Sequence, residues 1–167
     1  IIYLTQKLFQ LDKLADVIII DTGAGIADSV LEFVAASSEV ILVATPEPTS
    51  ITDAYALLKT LNKKSEFSVG NTNIGMLANR IKDEEDGKEL YEKLRVVADK
   101  FLQIPLTYLG GIPQDSNVSK AVIQQKPVTQ LYPNSEASKA IIRIAEKMCN
   151  GTDTVVQEKK GMAQLFS

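Results

Sequence analysis

The chain has no histidine and a single cysteine, Cys149, among its 167 residues. The first absence removes the commonest zinc ligand and general base, and the second excludes an internal disulfide. No apolar run approaches the roughly 18 residues that a membrane-spanning helix needs. A phosphate-binding loop is also missing. Neither Gly-x-x-x-x-Gly-Lys-Ser/Thr nor a glycine-rich variant with a paired lysine occurs anywhere in the sequence. Without those backbone amides and that lysine, a triphosphate has no cradle within these residues. The net charge of −3 argues against nucleic acid as a partner spread over the whole surface.

What is present reads as a globular α/β chain. Apolar residues make up 45% and charged residues 23%, as in folded domains that bury a core. Four apolar runs have the two-sided character of buried parallel strands: Val17–Ile20, Val40–Ala44, Ile74–Ala78 and, more weakly, Thr107–Ile112. Between them lie helical periods, carried by Val30, Leu31 and Val34, by Ile51, Tyr55, Leu58 and Leu61, and by Leu90, Leu94, Val97 and Phe101. Ala137, Ile141, Ile144 and Met148 mark a last helix, broken at Gly151 and Thr152. Regular alternation of strand and helix implies crossover connections and a doubly wound, mostly parallel sheet with helices on both faces. Tyr3–Ala15 also has a helical stripe of Leu4, Leu8, Leu11 and Leu14, and it opens on Ile1 with no signal-peptide pattern. A domain rarely begins inside an amphipathic helix, so the chain is expected to be part of a longer protein.

In open parallel sheets, ligands bind beyond the carboxyl ends of the strands, so the strand-end sequences carry the information. The first is Asp21-Thr22-Gly23-Ala24-Gly25. An aspartate closing an apolar strand can hold a metal ion directly or through water, and the two glycines let backbone approach a phosphate; a capping aspartate before an ordinary turn fits equally well. At the second, Thr45-Pro46-Glu47-Pro48-Thr49-Ser50, the prolines stiffen the turn and Thr49 or Ser50 is expected to cap the next helix, with Asp53 completing the box. At the third, the amide of Asn79 offers the acceptor and donor that a base edge requires, or else caps a local turn, and Arg80 follows it. The fourth, Gly110-Gly111-Ile112-Pro113-Gln114-Asp115, opens the backbone with glycines and fixes a turn at Pro113. Cys149 is expected to be a packing residue. The acidic run Asp83–Asp86 is expected to be a solvated loop or helix start.

These four strand ends, in this order, resemble the MinD/ParA-type P-loop ATPases with a deviant Walker A loop. Asp-Thr-Gly-Ala-Gly at 21–25 and the long string Thr45–Leu58 are most similar to the branch of flagellar-number regulators (FlhG, or YlxH). The resemblance implies that residues 1–150 are the C-terminal portion of a nucleotide-binding domain, with the phosphate loop upstream of Ile1 and its strand lying between those ending at Asp21 and Ala44. It further implies ATP and Mg2+ as cofactors, ATP hydrolysis by the parent, and a homodimer on ATP binding. Asp21 would be the switch II aspartate on the magnesium and water side, with Gly23 and Gly25 at the phosphates. Asn79, Arg80, Pro113 and Asp115 would surround adenine. The implied role is an ATP-dependent spatial regulator of flagellar number or placement, working with partner proteins of the flagellar or division machinery. A partitioning or septum-site ATPase of the same family, or a non-catalytic interaction module, are the alternatives. A receiver domain is disfavoured, because the place of its last strand-end lysine is taken by Gly111–Asp115.

The polar tail, 151–167, ends in Met162, Leu165 and Phe166 at helical spacing, with Lys159 and Lys160 just before them. The resemblance makes this the start of an amphipathic membrane-targeting helix, giving a cytoplasmic protein with peripheral contact at the inner face of the membrane. A disordered tail is the other reading.

Overall fold

The computed structural model describes residues 14–63, 72–102 and 104–151. The sheet has three strands, β1 (Glu39–Ala44), β2 (Asn73–Ile81) and β3 (Leu106–Pro113), in the order β1-β2-β3 and all parallel. Helix α1 (Asp28–Ala36) precedes β1, and the crossovers are α2 (Pro48–Leu61) and α3 (Glu84–Val97), the latter running into a π-helical turn at Ala98–Leu102. After β3 come α4 (Ser116–Ile123), the single turn α5 (Val128–Leu131) and α6 (Glu136–Gly151).

The alternation along each strand decides which helices it meets. Leu42 and Ala44 on β1, and Ile74, Met76 and Ala78 on β2, join one buried cluster with Leu58 and Leu61 of α2 and Leu90 and Leu94 of α3. Leu77 has the opposite parity and lies outside that cluster. On that side α6 buries Ala137, Ala140 and Ile144 and packs against β3. The approach is close at Gly110, whose φ is +145° and where a Cβ would sit 3.1 Å from Ile144 Cγ1. Gly87 of α3 makes room in the same way for the Tyr108 hydroxyl. Burial pushes that phenol up to about 12.

Three expectations are corrected. Val17–Ile20 is not a strand: among the described residues it pairs with nothing, and Val17 and Ile19 are 74% and 87% exposed. An apolar run becomes a strand only beside a partner, and by the resemblance its partner is the phosphate-loop strand, for which no described residue stands in. β1 is accordingly an edge strand, with Ile41 and Val43 exposed on it. Helix α2 begins at Pro48 with Glu47 as its N-cap, so neither Thr49 nor Ser50 caps it. Proline at the first helical position supplies the start, since its missing N–H would be unpaired there anyway. Cys149 is exposed, where a buried packing position was expected. Asp83 does begin α3, its side chain accepting from the Asp86 N–H at 2.9 Å. The 3–15 helix and the tail residues Met162, Leu165 and Phe166 lie outside the described residues.

Candidate functional site

The register brings three strand ends to one edge. Ala44 lies opposite Ala78, Asn79 opposite Ile112, and Ile81 opposite Pro113. Thr45–Glu47, Asn79–Arg80 and Pro113–Asp115 are therefore neighbours at the carboxyl side of the sheet. The ladder slips between Asn79 and Ile81, leaving Arg80 as the extra residue of a bulge. Its φ is +58°, in the left-handed region that an arginine seldom enters. In that conformation the Arg80 N–H donates to the Oδ1 of Asn79 at 2.9 Å.

The side chain of Arg80 reaches the neighbouring turn, with Nη1 3.3 Å from Glu47 Oε1. A side-chain hydrogen bond from Thr45, and to a smaller extent the Arg80 charge, hold the Glu47 carboxyl below its ordinary range. The Thr45 N–H donates to Ser50 Oγ at 3.0 Å, so Ser50 ties down the turn instead of capping the helix. Sequence reasoning treated Glu47 only as a turn residue. The signal that could have found it was an acid after one strand facing an arginine after the next.

Asp115 is committed to two helices. Its Oδ1 accepts from the Asn117 N–H at 2.8 Å as the N-cap of α4, and its Oδ2 accepts from the Ala137 N–H at 3.2 Å in the first turn of α6. These two backbone donors hold its carboxyl below the usual range. Next to it, the Gln114 N–H donates to the Ile81 carbonyl at 2.9 Å and carries the pairing one residue past β3. This edge can present an oriented carboxamide beside Pro113, the last paired residue of β3, which is what a planar base requires.

Asp21, Gly23 and Gly25 are also described, and they form a separate group. All three are exposed, Gly25 has φ +113°, and a Cβ added at Gly23 or Gly25 would meet nothing within 4 Å. Among the described residues no hydrogen bond or ion pair joins this segment to the other three strand ends. Nor does any group of three or more histidine, cysteine, aspartate or glutamate side chains stand ready to hold a metal ion among them.

Over residues 5–149 the chain matches a ParA family described as NUBPL iron-transfer P-loop NTPase. It is 45% identical over 145 residues to the antiactivator FleN of Pseudomonas aeruginosa, covering 87% of this chain and 50% of that protein. The chain belongs to the ParA family of P-loop NTPases. This ParA-family chain is also 33% identical over 154 residues to the flagellum site-determining protein YlxH of Helicobacter pylori, covering 90% of this chain and 50% of that one. It thus spans about half the length of the curated relatives it matches. Among solved structures, the septum site-determining protein MinD of Pyrococcus horikoshii, complexed with Mg-ADP, superposes with a TM-score of 0.65 at 23% identity. That match covers 92% of this chain and 59% of the other. A ParA family ATPase from Chlorobium tepidum superposes with a TM-score of 0.65 at 21% identity, covering 86% and 54% of the two chains. These likenesses establish the ParA-type α/β fold. Among the described residues no helix is long and apolar enough to cross a membrane.

Proposed function

We propose that this chain is part of an ATP-dependent spatial regulator that sets flagellar number or placement, and that it carries the base-side and switch elements of the nucleotide site. The observation that carries the reading is the convergence of Asn79–Arg80 with Pro113–Asp115 at one sheet edge, in a chain 45% identical to FleN. The carboxamide of Asn79 would read the adenine edge, with Pro113 beside the ring and Asp115 holding the turn through its two helix caps. The exposed Asp21 carboxylate suits a magnesium held through water, since a lone acid can share such an ion with phosphate oxygens. Gly23 and Gly25 leave room for those oxygens. Bound Mg2+ would neutralise charge on the β- and γ-phosphates. Hydrolysis by the whole protein requires a phosphate cradle that these 167 residues do not contain. An ATP-driven homodimer, partner proteins of the flagellar or division machinery, and membrane contact through Met162, Leu165 and Phe166 belong to the same proposal.

Deletion of the gene, with complementation by the wild type or by Asn79→Ala, tests it. Altered flagellar number or placement, restored by the wild type and not by Asn79→Ala, is the expected result. Normal flagella with misplaced septa or lost chromosomes would move the chain to the division or partitioning role. Normal cells throughout would sink the regulator reading.

A further inference from the structure

We propose that Arg80 sets the preference of this edge for adenine over guanine, and that it acts through its backbone and not through its guanidinium. The inference rests on the reading of Asn79 as the base-edge residue.

Two non-glycine residues among those described have positive φ, Arg80 at +58° and Gln125 at +52°. Gln125 is explained by the end of α4. Its N–H donates to the Val122 carbonyl at 2.9 Å and the Lys126 N–H to the Ala121 carbonyl at 3.1 Å, the paired bonds of a left-handed helix terminus. Arg80 ends no helix. It sits inside β2, where the ladder with β3 slips and then resumes at Ile81. Strain of this kind persists where the surroundings fix it, and it gathers at binding sites.

The consequence of the bulge is the hydrogen bond from the Arg80 N–H to Asn79 Oδ1. It fixes which way round the carboxamide stands. Rotating the amide by half a turn would set its NH2 against the Arg80 N–H, donor against donor. The oxygen keeps a second lone pair. Asn79 therefore offers one acceptor and one donor side by side in a fixed order. Adenine supplies the complement, its exocyclic amine next to a ring nitrogen acceptor. Guanine carries O6 where adenine has the amine, which places acceptor against acceptor. Its Watson–Crick edge needs the amide reversed, and the Arg80 N–H blocks that reversal. The guanidinium is taken up by Glu47 at 3.3 Å, with the two side chains 58% and 47% exposed. A pair that exposed holds weakly, so the orienting group is the peptide N–H.

The test is the affinity for ATP and for GTP, each with Mg2+, on the protein as the cell makes it. Arg80→Gly keeps both the N–H and the left-handed conformation, and should leave the ATP-to-GTP ratio within about twofold of wild type. Arg80→Val disfavours positive φ and should lower that ratio about tenfold, the scale of one base contact. If the valine variant does not fold by its melting curve, Arg80→Ala takes its place, with a smaller fall expected. A folded valine or alanine variant with an unchanged ratio overturns the proposal. So does an Arg80→Gly ratio that falls as far as that of valine, because the guanidinium would then be the determinant. Asn79→Ala separates the two levels. If it leaves ATP affinity unchanged, the base-edge reading itself fails. If it weakens ATP while Arg80→Val keeps the ratio, only the role given to Arg80 fails.

Discussion

Val17–Gly25 and Ile74–Arg80 are written alike, as an apolar run closed by one polar residue and a change of backbone. The second run became the central strand of the sheet, buried from Ile74 to Ala78, with its terminal residues wired to both neighbours. The first is exposed and unpaired among the described residues. Composition cannot separate them, because burial of a strand is a property of its neighbours as much as of its side chains. β2 has β1 on one side and β3 on the other. The 17–20 run, by the resemblance, belongs beside a strand that the described residues do not supply.

The sharpest way to break this contrast is to remove equivalent apolar groups from the two regions. Leu58 faces the β1–β2 sheet from α2 and is 1% exposed. We expect Leu58→Ala to cost about 2–5 kcal/mol, the transfer term plus the cavity left behind. Ile19 is 87% exposed, and Ile19→Ala should change stability by about 0.5 kcal/mol or less, as at other unpacked surface positions. Urea unfolding followed by circular dichroism measures both. Comparable losses would mean that the 17–20 run is packed in solution.

A second expectation sharpens the base side. Asp115 joins the starts of α4 and α6 with one carboxylate, so Asp115→Ala should lower the melting temperature by undoing two caps together. The pH dependence has a definite sign. The backbone donors at Asn117 and Ala137 favour the ionised form and lower the folded-state pKa below the ordinary 3.8. The stabilisation is therefore complete above that ordinary value and is lost as pH falls through the lowered one. Melting temperatures of wild type and variant should differ most near neutrality and converge in acid. A gap that stays constant across that range would show that charge at Asp115 contributes nothing to the caps.

Much of this arrangement was legible. The three paired strands follow from runs apolar on both faces, and α2, α3 and α6 from stripes at Leu58 and Leu61, at Leu90 and Leu94, and at Ala137 and Ile144. α4 and α5 escaped notice because they are short: α4 has eight residues and buries Ala121 alone, and α5 has four and buries nothing. At Asp115 the double cap was not legible, because its second half depends on α6 arriving 22 positions later. Glu47 was hidden for the same reason, since the arginine it meets stands after the next strand. Cys149 is expected to pack from its place near the end of α6, but it is exposed.

The smallest stability effect belongs to Asp21, and it bears most directly on the other half of the comparison. Asp21 is exposed, with open space around Gly23 and Gly25. Removing its carboxylate leaves no cavity and strands no buried donor, so Asp21→Ala should fold as wild type does, within about 0.5 kcal/mol. A carboxylate that adds nothing to folding is free to serve a ligand, and here the proposed ligand is magnesium on a triphosphate. In the protein as the cell makes it, the same variant should lose magnesium-dependent phosphate release from ATP while keeping the base contact at Asn79. Adenosine affinity should therefore stay near wild type. Thermal melting, phosphate release and adenosine binding on one preparation separate the cases. A melting temperature lowered as far as that of Asp115→Ala would make Asp21 a structural cap. Undiminished phosphate release would remove it from the magnesium side, and the segment would keep only its glycines as a reason to be called part of the site.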